Sequence, residues 1–213
     1  MKYKAFLFDL NGTMINDVRY HINAWYRILN ELGGNISIER AKQECYGKNQ
    51  ELIERVFPKR FTGEEKDRIS REKEKQYQEE YKPHLAPING LELFLKRSKE
   101  AGVKMAIGSA AIRSNIDFVV DGLNIRNYFD IIISADDVMH SKPDPETYIK
   151  CADQLGIAVK DCLVFEDAPK GAESAKNATM GCVIITSLHK PEEFSDHSNI
   201  INFVEDYNNF TLP

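Results

Sequence analysis

Five short, almost unbroken apolar runs limit what this 213-residue chain can fold into more than any other feature. They are Ala5–Leu10 (AFLFDL), Val103–Ser109 (VKMAIGS), Asp130–Ala135 (DIIISA), Cys162–Glu166 (CLVFE) and Cys182–Thr186 (CVIIT). A strand with one wet face alternates apolar and polar residues; a strand covered on both faces does not. Helical patterns separate most of the runs. Asp144, Pro145 and Gly156 read as an N-cap, a first-turn proline and a terminating glycine. The stretch from Pro169 to about Ala178, followed by Gly181, reads the same way. This alternation predicts an α/β protein with a doubly wound parallel sheet.

Residues 15–85 break that rhythm and hold no comparable strand-like run. Ile22, Trp25, Tyr26, Leu29 and Leu32 fall at helical spacing, and Gly33-Gly34 ends the segment. Residues 64–82 are rich in Glu, Lys, Arg and Gln, which favours helix and predicts a solvated helix face. Pro83, Pro87 and Asn89-Gly90 then mark a turn-rich return. The expected organisation is an α/β core from residues 1–14 and 86–213, with an all-helical insertion over 15–85.

Composition narrows the partners. Apolar residues make up 42% and charged residues 29%, which suits a water-soluble globular chain. A net charge of −5 gives no electrostatic help toward nucleic acid or an anionic membrane, so neither is expected as a partner. The first apolar run stops at Asp9 and is too short for a signal core or a membrane span. Cys45, Cys151, Cys162 and Cys182 form no CxxC pair, which predicts reduced thiols in a cytoplasmic protein rather than zinc or redox chemistry. A monomer is the expected state.

The polar residues at the strand ends carry the chemistry. The first run holds Asp9, the second ends at Ser109, the third enters Asp136-Asp137 and the fourth ends at Glu166-Asp167. In a doubly wound sheet the carboxyl ends of the strands line one crevice. Residues far apart in sequence therefore converge there as several carboxylates, a hydroxyl and a nearby Lys142. Hard oxygen ligands of this kind select Mg²⁺.

In these residues the chain resembles the haloacid dehalogenase superfamily, in its helical-cap subgroup alongside β-phosphoglucomutases and small phosphate-ester phosphatases. The family's first motif, Asp-x-Asp-Gly-Thr, reads here Asp9-Leu10-Asn11-Gly12-Thr13. The second is Ser109 in IGSAA, the third Lys142 in SKPDP, and the fourth Glu166-Asp167 in FEDAPKG. All four stand in order over essentially the whole chain. The resemblance implies a Mg²⁺-dependent phosphatase of a small phosphorylated metabolite such as a sugar phosphate. Asp9 would attack phosphorus and form an aspartyl-phosphate. Asp9 and Asp167 would bind Mg²⁺ through carboxylates and Asn11 through its backbone carbonyl, with Glu166 orienting a metal-bound water or contributing directly. Lys142 would neutralise Asp9 and the transferring group. Ser109 would hydrogen-bond a phosphate oxygen, with Gly12 and Ala110 beside it. The helical insertion would be a cap that excludes water and chooses the substrate.

Several departures from the family pattern bear on function. Position 11 is Asn where phosphatases of the family have the Asp that acts as general acid and base, a role worth about 10²–10⁴-fold in rate. The Asn can have been introduced to disable the enzyme. It can reflect a leaving group that needs no proton, such as an acyl phosphate. Or it can mark a non-catalytic binder of phosphorylated ligands. In the cap, Tyr46-Gly47-Lys48-Asn49-Gln50 stands where β-phosphoglucomutases carry a Lys-Gly pair and a later Arg, which argues against a mutase holding a second phosphate. The related phosphonoacetaldehyde hydrolases also lack the second Asp and use a cap lysine as a Schiff base. Lys48 is the candidate for that role here, but its local context does not match that family's motif well, so this stays a minor alternative. His21 matches a family histidine that faces the active site, and Arg113, shortly after Ser109, is a further candidate substrate contact.

Overall fold

The computed structural model describes residues 2–208 and 210. The chain divides into two compact units, one of residues 1–16 and 86–213 and one of residues 17–85.

The first unit is built on a six-stranded sheet. Its strands are β1 (Ala5–Phe8), β2 (Lys104–Gly108), β3 (Ile131–Ile133), β4 (Cys162–Glu166), β5 (Gly181–Ile185) and β6 (Ile200–Val204). Every pairing is parallel, in the order β3-β2-β1-β4-β5-β6. The chain order reverses between β1 and β4, so the sheet's switch point, where such folds bind ligands, lies there. Phe8 pairs with Ile107 on one side and Phe165 on the other, which brings Asp9, Gly108 and Glu166 to one end of the sheet.

The helices, in chain order, are α1 (Val18–Glu31), α2 (Ile38–Glu44), α3 (Asn49–Val56), α4 (Gly63–Tyr81), α5 (Leu91–Glu100), α6 (Arg113–Gly122), α7 (Glu146–Leu155) and α8 (Pro169–Asn177). α7 packs on β1, β2 and β3, and α8 on β4 and β5. α7 starts one residue later than its proline predicts: Pro145 is the N-cap, and Asp144 Oδ1 accepts from the Glu146 N–H. α8 starts at Pro169 as expected, but Gly181 does not stop it. Thr179 takes the left-handed turn (φ 59), and Gly181 opens β5. None of the five apolar runs corresponds to β6. It is an edge strand with exposed Ile201 and Phe203, so it lacks the two-sided burial that marks the other strands.

Strand alternation sends side chains to two covered faces. On one face Phe6, Phe8 and Phe165 pack against each other and against Phe94 of α5, with Tyr207 and Phe210 beside them. Such ring pairs add roughly 0.5–1.5 kcal/mol beyond area burial. On the other face Ala5, Leu7, Ala106, Val164, Cys182 and Ile184 form a core with Tyr148, Cys151, Ala172 and Ala175. Small residues there let two helices approach the sheet closely.

The second unit is helical. Trp25, Ile28 and Leu29 of α1, Leu52 and Ile53 of α3, Phe57 just after α3, and Ile69 of α4 make its core. Thr62 caps α4 by accepting from the Glu65 N–H, while Glu65 accepts from the Thr62 N–H. The charge-rich α4 is not solvated all round. Ile69, Lys73, Glu74, Tyr77 and Tyr81 are buried, mostly at four-residue spacing. Lys73 and Glu74 are held by partners: Lys73 Nζ lies 2.6 Å from His21 Nδ1 and 3.0 Å from Glu74 Oε2. Among the described residues no helix is long and apolar enough to cross a membrane.

Candidate active site

Asp9 follows β1 directly, and its N–H donates to the Phe165 carbonyl at 2.9 Å, continuing the β1–β4 ladder. Its parity along the strand matches Leu7, so its carboxylate is on the α7–α8 face. After Asp9 the chain turns sharply. Gly12 has φ 74 and donates to the Ile15 carbonyl, and Met14 donates to the Leu10 carbonyl. Asn11 sits in this turn, half-buried, in a bridge with Ile15. The Tyr207 hydroxyl donates to the Thr13 carbonyl at 3.0 Å, fastening the turn to the C-terminal segment.

Lys142 reaches this point from the loop before α7. Its ammonium lies within hydrogen-bond distance of Asp9 Oδ1 (2.7 Å), Glu166 Oε1 (2.7 Å), the Tyr148 hydroxyl (2.8 Å) and the Gly108 carbonyl (3.0 Å), four acceptors that share its three N–H groups. Burial works against the Lys142 charge, but the Asp9 and Glu166 carboxylates together outweigh it and hold its pKa above the ordinary lysine value. Tyr148 also donates to Glu166 Oε1 at 2.8 Å. Burial, and then the nearby Glu166 charge, raise the Tyr148 pKa well above normal, so its hydroxyl keeps its proton.

Glu166 ends β4, and its Oε2 accepts from the N–H groups of Asp167 (2.9 Å) and Ala168 (3.1 Å), just before α8. Gly171 in the first turn of α8 makes room for it: a Cβ there would lie 1.8 Å from Glu166 Oε1. Oxygens of Asp9, Glu166 and Asp167 lie within 4.8 Å of one another, and all three residues are buried. Among the described residues the buried lysine shown against this group is Lys142, paired with Asp9 and Glu166, so three carboxylates gather around one such cation in a low-dielectric setting. Hard oxygen donors with that charge suit a divalent cation.

Ser109 follows β2, buried; its N–H donates to the Ile133 carbonyl and its Oγ accepts from the Ala111 N–H. That acceptor role leaves the O–H able to donate. Ala110 follows it, half-buried. Arg113 opens α6, exposed, with Nε 3.4 Å from Asp117 Oδ1. Asp136 and Asp137 do not join the carboxylate group. Both are exposed: Asp136 accepts from the Arg113 N–H, and Asp137 caps the turn by accepting from Ser134.

The remaining candidates lie in the helical unit. His21 is on α1, stacked on Tyr77 at 3.7 Å, with Nε2 3.2 Å from Asp17 Oδ2. Gly47 (φ 73) is in the loop between α2 and α3. Lys48 is the N-cap of α3, its N–H donating to Glu51, and Gln50 donates to Asp67. Arg55 clamps this loop by donating to the Glu44 and Tyr46 carbonyls, its guanidinium 3.8 Å above the Tyr46 ring.

Neither Tyr148 nor Lys73 stands out in the sequence. A tyrosine six residues after Lys142 on an amphipathic helix looks like core, and only its hydroxyl partners distinguish it. Lys73 stands in a charge run whose ordinary reading is solvent exposure.

The family model described as haloacid dehalogenase-like hydrolase matches residues 6–185. The chain is 25% identical to the fructose-1-phosphate phosphatase YqaB of Escherichia coli, over 88% of this chain and 98% of that protein. It is 25% identical to a phosphorylated carbohydrates phosphatase of Thermotoga maritima, over 82% of this chain and 81% of that one. Among solved structures, a β-phosphoglucomutase from Clostridium difficile superposes with a TM-score of 0.86 at 25% identity, covering 99% of this chain and 94% of that one.

Proposed function

This chain belongs to the haloacid dehalogenase-like hydrolases, and on that premise we propose that it is a magnesium-dependent phosphatase of a small phosphorylated metabolite, with sugar phosphates the favoured class. The observation that carries the reading is the crowding of the Asp9, Glu166 and Asp167 carboxylates at the ends of β1 and β4, two of them, Asp9 and Glu166, paired with the buried Lys142. Asp9 is the nucleophile: its carboxylate oxygen bonds to phosphorus, the ester oxygen departs with the bonding pair, and water later hydrolyses the aspartyl-phosphate. Lys142 stays charged and offsets repulsion between Asp9 and the phosphoryl oxygens. Ser109 donates to a phosphate oxygen, with the backbone at Gly12 and Ala110 beside it. Asp9, Asp167 and the Asn11 carbonyl would hold Mg²⁺, with Glu166 contributing directly or through water. When bound, the ion screens the anionic ester from the attacking carboxylate.

The named substrates of the two relatives favour a sugar phosphate. His21, Gly47, Lys48 and Gln50 of the helical unit, with Arg113, are the candidates for choosing among such esters. Tyr46 and Gln50 carry no positive charge to grip a second phosphate, which weighs against a β-phosphoglucomutase-like isomerase despite the shared fold. The protein works as a cytoplasmic monomer in this reading.

Asn11 cannot protonate a leaving alkoxide or activate water. Turnover of simple esters is therefore weak, and the same residue favours a second reading, a non-catalytic binder of phosphorylated ligands. Phosphate release from a panel of small esters, with and without Mg²⁺, separates the two. For the phosphatase, Asn11→Asp raises Mg²⁺-dependent turnover by about 10²–10⁴-fold. A panel silent for both forms favours the binder.

A further inference from the structure

We infer that Tyr148 divides the acidic pair after β4 into two roles: it holds Glu166 onto Lys142 and leaves Asp167, with Asp9, to the divalent cation. The inference rests on the metal-dependent reading above. A carboxylate offers about four acceptor positions. At Glu166 each oxygen already accepts from two donors: Oε1 from Lys142 (2.7 Å) and Tyr148 (2.8 Å), Oε2 from the N–H groups of Asp167 (2.9 Å) and Ala168 (3.1 Å). A direct bond from Glu166 to a cation would cost one of these.

The Tyr148 hydroxyl sets the balance. It accepts from Lys142 at 2.8 Å while donating to Glu166, so lysine, phenol and carboxylate close a ring of hydrogen bonds. The ammonium also lies 4.6 Å from the Tyr148 ring centre. The backbone supports the same orientation, since Gly171 offers the carboxylate a space that any side chain would fill. Glu166 is then a positioning residue for Lys142, and its effect on the cation is indirect. Outer-shell groups of this kind orient the ligands and change affinity without touching the ion.

Tyr148→Phe keeps the ring and its packing and removes both hydrogen bonds of the hydroxyl. Binding of Mn²⁺ alone to the full chain, followed by electron paramagnetic resonance, reads the cation site without turnover. The expected result is Mn²⁺ binding tightened about three- to tenfold, the scale of one hydrogen bond released from Glu166, with kcat lowered about ten- to a hundredfold. A merely structural tyrosine does not tighten the metal site when lost, so unchanged or weakened Mn²⁺ binding overturns the inference. A second pair of variants guards against a folding defect. Asp167→Asn weakens Mn²⁺ binding at least about tenfold more than Glu166→Gln, and equal losses overturn the division of roles. Mn²⁺ binding by the wild type with no turnover of any ester by it or by Asn11→Asp defeats the phosphatase reading alone. No Mn²⁺ binding defeats both.

Discussion

Both units bury charge, and they do so differently. In the helical unit Asp17, just before α1, and His21 of α1 meet Lys73, Glu74 and Tyr77 of α4. These groups lie along helix walls, among rings: His21 stacks on Tyr77, and Lys73 sits 5.3 Å from the Trp25 ring centre. Acids and bases are interleaved there, so each charge has an opposite or neutral partner within the cluster. In the α/β unit Asp9, Glu166 and Asp167 stand at strand ends with Lys142 as their buried cation among the described residues. The first arrangement ties two helices together. The second sets three carboxylates against one lysine, where the first sets two against a lysine and a histidine; the larger excess of negative charge destabilises an apo protein and suits one that takes up a cation. Burial alone thus says little about role; the balance of charge at the site says more.

Three substitutions sharpen or break that contrast. Asp9→Asn removes the nucleophile and lowers phosphate release at least about 10⁴-fold, while the melting temperature holds or rises, because one of three crowded carboxylates loses its charge. A large loss of stability would mean that Asp9 belongs to a structural cluster like the one in the helical unit. Lys73→Met strips the cation from that cluster and leaves buried acids without it. Urea unfolding should show a loss of about 3–5 kcal/mol; a loss near zero would show those charges to be as dispensable as surface ones.

The smallest effect is expected at Glu146, which accepts from the Met139 and His140 N–H groups and pairs with Lys150. Lys150, then the backbone donors, lower its pKa from 4.5 to about 2. A folded-state pKa below the unfolded one gives stability that is full above the unfolded value and fades as pH falls through the folded one. The wild type should therefore outlast Glu146→Gln in thermal melts above pH 4.5 and lose that margin toward pH 2. A margin that persists at the acid end would contradict the pairing.

Much of the sheet was legible because burial on both faces leaves a mark: AFLF, CLVFE and GCVII are apolar at every position or nearly so, whatever their neighbours. β6 carried no such mark, since an edge strand exposes one side. At the site, residues at strand ends could be placed by topology, and Asp9, Lys142, Glu166 and Asp167 do come together. Asp136 and Asp137 occupy a strand end too, yet Asp137 caps a turn and Asp136 accepts from the Arg113 N–H, because β3 is the outer strand and lies one strand further from the switch point. The hydroxyl of Tyr148 and the burial of Lys73 depend on which groups face them across the fold, and local sequence does not encode that.

A phosphatase of this kind needs Asp9 to take a phosphoryl group. Acetyl phosphate tests it directly, because its acetate leaving group needs no proton and Asn11 is no handicap to the first step. The protein is incubated with acetyl phosphate and Mg²⁺, digested, and its peptides weighed. The expected result is a phosphoryl group on the Asp9 peptide that persists in this chain and is lost faster in Asn11→Asp, where a base for water is restored. No phosphorylation, or phosphorylation retained when Asp9 is replaced by Asn, would contradict it.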